Sequence, residues 1–151
     1  MGRIRFTVVA AVVAAATLAS PALARPAADV TFGGKTSAKW PVMVQLSRDG
    51  RQVAYAVAAW SVKCSDGPLA SSEEFTQIPV SSRRKFSRSY DTGNYQDGTA
   101  TVRYAASLTG TINKRHSRIT GTVRVMLTDK DPTNGVDETC DTGMVRYVAI
   151  N

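Results

Sequence analysis

Cys64 and Cys140 are the only cysteines in the 151-residue chain, and they stand 76 positions apart. No CxxC spacing marks them as a metal or redox pair. In an oxidising compartment two such cysteines form a structural disulfide. Closing a loop of that length would contribute about 4–5 kcal/mol through the unfolded state, out of a usual total stability of about 5–15 kcal/mol. Cys64 ends the segment QVAYAVAAWSVKC and Cys140 opens CDTGMVRYVAI. Both segments read as strands, so the bond would join strand to strand.

The carboxylates offer less. A glycosidase needs two carboxyl groups facing each other across one bond. Glu73 and Glu74 are neighbours, and on a strand they point to opposite faces. Glu138 would meet Asp97 or Asp137 only through folding. The single histidine, His116, sits among basic and polar residues, and a general base needs a nucleophile and an orienting acid beside it. No GxSxG segment marks a serine nucleophile. Gly33-Gly34-Lys35-Thr36 leaves the phosphate-loop pattern incomplete. A small secreted hydrolase with a loop-built site is therefore the alternative reading, and a non-enzymatic module is the first.

Asp129, Asp131, Asn134, Asp137 and Glu138 crowd one acidic stretch, and calcium favours several such oxygens. Counted from Asp129, Gly135 is seventh and Glu138 tenth, whereas the helix–loop–helix calcium pattern needs Gly sixth and Glu twelfth. Asp131-Pro132 and Asn134-Gly135 are ordinary turn formers. The expectation is no cofactor, with calcium the one ion these residues suggest.

Two basic clusters remain. Arg83, Arg84, Lys85 and Arg88 surround Phe86, and Lys114, Arg115 and Arg118 flank His116. Brought together by loops, they would form a cationic patch for an anionic cell-envelope polymer or glycan. Specific nucleic-acid binding is not expected, because only Phe86 and Tyr90 are near enough to stack on bases. Tyr90 and Tyr95 would stack on sugar rings or pack over the core as a lid.

The elements that position these residues begin after an address. Arg3 and Arg5 give a positive start, Phe6 to Ala19 is apolar, and Ala22-Leu23-Ala24 is a small-x-small cleavage site. That layout is a secretory signal peptide over residues 1–24, too short in its apolar run to span a bilayer. Cleavage leaves residues 25–151 as one domain, with no transmembrane segment. It removes two of 19 basic residues and leaves 17 against 12 acidic ones, a net charge of +5. The mature chain is expected to be extracellular, or periplasmic if its source has an outer membrane.

Within it, no apolar pattern with a helical period is sustained, and apolar residues alternate with polar ones. Val30–Trp40 reads as an edge strand and turn; Val42, Val44 and Leu46 as a strand; Arg48 to Arg51 as a turn. Gln52 to Cys64 is apolar on both faces early and on one face later, with Trp60 in the core. Ser65–Ser72 reads as a loop, Glu73–Val80 as a short strand, and Tyr90–Gly98 as a polar loop. Thr99–Ile112 and Ile119–Leu127 form a hairpin whose flanks repeat as Leu108-Thr-Gly-Thr111 and Ile119-Thr-Gly-Thr122. Gly110 and Gly121 there would admit a bend or a large neighbour. Thr128–Thr139 reads as an acidic loop, and one strand runs from Cys140 to the end. The sum is an all-β antiparallel sandwich, jelly-roll-like, with one disulfide. An immunoglobulin domain is excluded, because Trp60 precedes Cys64 and Glu138 stands where that fold has its tyrosine.

Gly34-Lys-Thr36, the W-x-x-x-C strand, the paired L-T-G-T and I-T-G-T segments and the CDTGMVRYVA ending together resemble a family of small, secreted, uncharacterised bacterial β-sandwich proteins. The resemblance covers most of the mature chain. It implies a fold and an export route, and it brings no activity and no site residues.

Overall fold

The structure is a computed structural model that describes residues 29–64, 67–133 and 135–151. The signal-peptide segment and Asn134 lie outside the described residues. Nine strands follow in order: β1 (Val30–Thr36), β2 (Pro41–Leu46), β3 (Gln52–Cys64), β4 (Gly67–Pro79), β5 (Lys85–Asp97), β6 (Ala100–Ile112), β7 (Arg118–Asp131), β8 (Val136–Asp141) and β9 (Val145–Ile150). No helix occurs among the described residues, so none is long and apolar enough to cross a membrane.

All nine strands belong to one antiparallel sheet in the order β4-β3-β2-β1-β9-β7-β6-β5. The long β7 pairs with β9 through Arg118–Val123 and with β8 through Met126–Asp131. The sheet curls until its outer strands meet. The Phe75 ring of β4 lies 6.0 Å from the Tyr90 ring of β5. The hydroxyls of Tyr90 and Tyr104 both donate to the Glu73 carboxylate. The sheet is therefore nearly closed, and the Cys64–Cys140 disulfide ties β3 to β8 across it.

The sheet is continuous, because β1 pairs with β2 on one side and β9 on the other. β1 is thus central and not an edge strand. Gly34 is needed there, since a Cβ would run into the Val148 carbonyl and the Ala149 backbone of β9. The core fills the inside of the curl, with Phe32, Val44, Val53, Trp60, Ile78, Leu108, Ile119 and Tyr147 among its buried members. Burying this apolar surface, at about 25 cal/mol per Å², is what drives the curl.

Four loop or strand assignments need correction. β4 begins at Gly67, so Gly67–Ser72 is strand, paired residue for residue with β3 from Ala59 to Cys64. β5 extends through Tyr90–Asp97, with a bulge between Asp91 and Asn94 that accommodates its polar turn-like sequence. The acidic stretch is mostly ladder, because β7 runs to Asp131 and β8 starts at Val136. The final strand is two strands, broken at Thr142-Gly143-Met144, where Gly143 has φ +65° and Asp141 Oδ1 accepts from its N–H. In the first three cases strand pairing overrides weak local preference, as it does for β propensity generally.

The burial pattern explains two ambiguities. β3 looks apolar on both faces because its register with β2 shifts between Gln45 and Leu46; Val53 points inward, and after the irregularity so do Ala56, Ala58, Trp60 and Val62. In β9 the face carrying Tyr147 and Ala149 is buried, and Met144, Arg146, Val148 and Ile150 face solvent. The face interrupted by Arg146 is the outside.

Gly110 and Gly121 lie opposite each other in the β6–β7 pair. Gly110 pairs with Phe86 and Gly121 with Tyr147. A Cβ on Gly110 would overlap the Phe86 ring, and one on Gly121 would overlap the Thr109 carbonyl and the Tyr147 ring. Each glycine is covered by an aromatic ring from the next strand. The Tyr147 hydroxyl reaches past Gly121 to donate to the Thr109 carbonyl at 2.9 Å, and burial pushes its pKa above the ordinary phenol value.

Candidate functional site

In an antiparallel meander, alternate turns emerge at the same end of the sheet. The turns between β2 and β3, β4 and β5, and β6 and β7 therefore share one end. They are joined directly: the Val80 N–H donates to the Arg51 carbonyl at 2.8 Å, and the Ile112 N–H donates to the Arg84 carbonyl at 2.9 Å.

The three turns are built alike. Each opens on a small polar residue whose side chain accepts a backbone N–H at the turn's far side. Ser47 Oγ accepts from Gln52 at 3.2 Å, Ser81 Oγ from Lys85 at 3.1 Å, and Asn113 Oδ1 from Ser117 at 2.9 Å. Such local side-chain bonds are why Ser and Asn favour turns. In each turn the carbonyl of that first residue accepts from the residue three on, namely Gly50, Arg84 and His116. Those three residues have φ of +67°, +59° and +53°. Glycine takes that conformation freely, whereas an L side chain there costs about 1–2 kcal/mol. Two of the three turns accept this strain to carry a basic side chain or an imidazole.

The consequence is a concentration of positive charge. Arg83, Arg84, Lys85, Lys114, Arg115 and Arg118 share this end, with Arg88 one step along β5. Arg48 and Arg51 join them from the third turn, which sequence reading treated only as a turn. Among the described residues, Asp29 and Asp49 supply the acidic side chains at this end, where the Asn151 N–H also donates to the Ser117 carbonyl, and Asp49 pairs with Arg51 at 4.0 Å. Ser47 and the Arg51 backbone hold the Asp49 carboxyl below its usual range. None of Arg83, Arg84, Lys85, Arg88, Lys114, Arg115 and Arg118 lies within ion-pair distance of a described carboxylate. Arg84 is half-buried, and its Nε is enclosed without a hydrogen-bond partner.

Of the residues suggested for calcium, the four described ones, Asp129, Asp131, Asp137 and Glu138, sit toward the other end, split between two faces. Asp137 pairs with Lys130 at 3.6 Å. Asp129 and Glu138 oppose each other in the β7–β8 ladder, on the face that carries Cys140. Asp131 is buried and accepts from Thr99 Oγ1 at 3.0 Å and from the Thr133 N–H at 2.9 Å. Asp129 Oδ1 is buried without a partner. The one described donor group tight enough for an ion is Cys64, Glu138 and Cys140, and its two sulfurs are already bonded to each other.

Glu73 and Glu74 do face opposite ways. Glu73 takes the two tyrosine hydroxyls at the seam, and Glu74 hydrogen-bonds Tyr55 on the outside, raising that phenol's pKa. Burial, and next the Glu73 hydrogen bond, raise the Tyr104 phenol well above its ordinary value. Tyr90 is packed between Phe75 and Tyr104 at the seam, and Tyr95 stays exposed. Comparison with protein families, curated proteins and solved structures gives no match for this chain.

Proposed function

We propose that this chain is a secreted, non-enzymatic binding module whose basic end docks on an anionic polymer of the bacterial cell envelope. The carrying observation is the convergence of three similar turns into one cationic surface with few carboxylates to neutralise it. The signal-peptide pattern supports export, and the disulfide fits an oxidising compartment. The sheet's two halves, β4-β3-β2-β1 and β9-β7-β6-β5, serve as the two layers of a sandwich and hold the turns rigidly. Arginine dominates the surface, and its planar fork suits phosphate or carboxylate oxygens better than a lysine point charge does. Unpaired exposed cations bind a polyanion largely by releasing its counterions, so the affinity falls steeply with salt.

The test compares two variants of equal charge loss on immobilised polyphosphate. R83S/K114S/R115S removes cations from the basic end; K39S/K63S/K130S removes them elsewhere. The first should elute at much lower salt than the parent and the second close to it. Equal losses in both variants would reject a localised site.

A further inference from the structure

The outer face of the sheet next to the basic end carries a second feature. Strand register sets Lys85, Thr111, Thr120 and Val148 in one row across β5, β6, β7 and β9. The adjacent row is Ser87, Thr109, Thr122 and Arg146. Lys35 of β1 pairs with Val148 and extends the first row. Two depressions follow these rows. One of about 500 Å³ is lined by Lys85, Ser87, Thr109, Thr111 and Thr120, with Gly110 and Gly121. The other, of about 310 Å³, shares Thr120 and Gly121 and runs on to Thr122, Arg146 and Val148. They form one continuous trough. With strands about 4.8 Å apart, it spans about 14 Å from β5 to β9.

The chemistry of the lining is selective. It is rich in hydroxyls that both donate and accept, and it contains no carboxylate. Lys85 at one end and Lys35 and Arg146 at the other are exposed, and none is paired with a described carboxylate. The larger depression farther along the same face differs: it is lined by Asp91 and Arg124, each held in an ion pair. A row of hydroxyls between cations matches a chain that alternates hydroxyl-bearing rings with negative charges.

We infer that the trough is a subsite for an acidic polysaccharide, whose ring hydroxyls bond Thr111 and Thr120 while its anionic groups meet Lys85, Lys35 and Arg146. This rests on the reading of the basic end as a polyanion surface and specifies the polymer as a glycan. Thr111 and Thr120 face each other across the β6–β7 pair and are exposed, so both hydroxyls are open to a ligand.

The experiment measures affinity for two probes. Polygalacturonate carries sugar hydroxyls and charge; inorganic polyphosphate carries charge alone. T111V/T120V keeps the side-chain shape and strand preference and removes the hydroxyls. It should weaken polygalacturonate binding about fivefold or more while polyphosphate binding stays within about twofold. K35Q/R146Q, on exposed side chains, should also weaken polygalacturonate. Unchanged polygalacturonate binding in both variants overturns the trough. If R83S/K114S/R115S still loses both probes in that case, the basic-end reading stands alone. Equal loss of both probes in T111V/T120V also overturns the glycan subsite. If the trough variants lose polygalacturonate and R83S/K114S/R115S binds both probes like the parent, the trough stands and the basic-end reading falls. A parent protein that retains neither probe overturns both.

Discussion

The two ends of the sheet are closed by different means. At the acidic end a covalent bond joins β3 to β8, with Cα atoms 5.2 Å apart. At the basic end no covalent link exists, and the strands are drawn together by aromatic rings laid over bare glycines, with turns hydrogen-bonded to one another. The difference matters because the basic end must also hold like charges side by side. Their mutual repulsion and two strained turns are stability costs that burial of Phe86 and Tyr147 has to outweigh. A sulfur clamp at one end leaves sequence at the other free to carry this charge.

Removing the clamp should have the largest effect. C64A/C140A is expected to lose about 4 kcal/mol of unfolding free energy by urea titration. A loss under about 1 kcal/mol would mean that packing alone closes both ends. Next comes the glycine row. Gly121→Ala places a methyl against a backbone carbonyl and a buried ring and should cost about 3 kcal/mol. The atoms nearest a Cβ at Gly110 are those of the Phe86 ring, which can shift, so about 1 kcal/mol is expected for Gly110→Ala. The reverse order would show that Phe86, not Tyr147, anchors the basic end.

Smaller effects should separate stability from binding. R84G and H116G relieve positive φ and should each stabilise the fold by up to about 1 kcal/mol. The R84G protein should nevertheless release polyphosphate at lower salt. Stabilisation without loss of binding would mean that Arg84 is retained for another reason. The smallest effect concerns acid. A bidentate bond from Arg103, reinforced by the Gly93 N–H, lowers the Asp91 carboxyl to about 2. A depressed folded-state pKa adds stability above the unfolded value near 4 and loses it as pH falls toward about 2. Asp91→Asn should flatten that part of the pH–stability curve by lowering stability slightly at pH 7, with little change near pH 2.

Much of this arrangement is legible residue by residue. The alternation in Thr99–Leu127 gives the β6–β7 hairpin, and the repeated Thr-Gly-Thr segments mark where large neighbours must approach. The two cysteines form the disulfide their isolation implied. Other features were hidden because their causes are long-range. Gly67–Ser72 and Tyr90–Asp97 are small and polar, and they are extended only because β3 and β6 lie beside them. The hydroxyl trough needs the registers of four strands, and no single segment reveals it.

The amino-acid pattern alone determined that this chain builds strands, that its two cysteines pair, and that two clusters of cations flank turns. Those are local matters of side-chain alternation and chemistry. Only the tertiary structure decided that Arg48, Arg84 and Arg115 share one end and that the acidic stretch is divided between two faces. Strand pairing sets those placements, and each pair depends on residues tens of positions away. A continuous sheet through β1 and β9 fixed the neighbours that turned scattered charge into a surface.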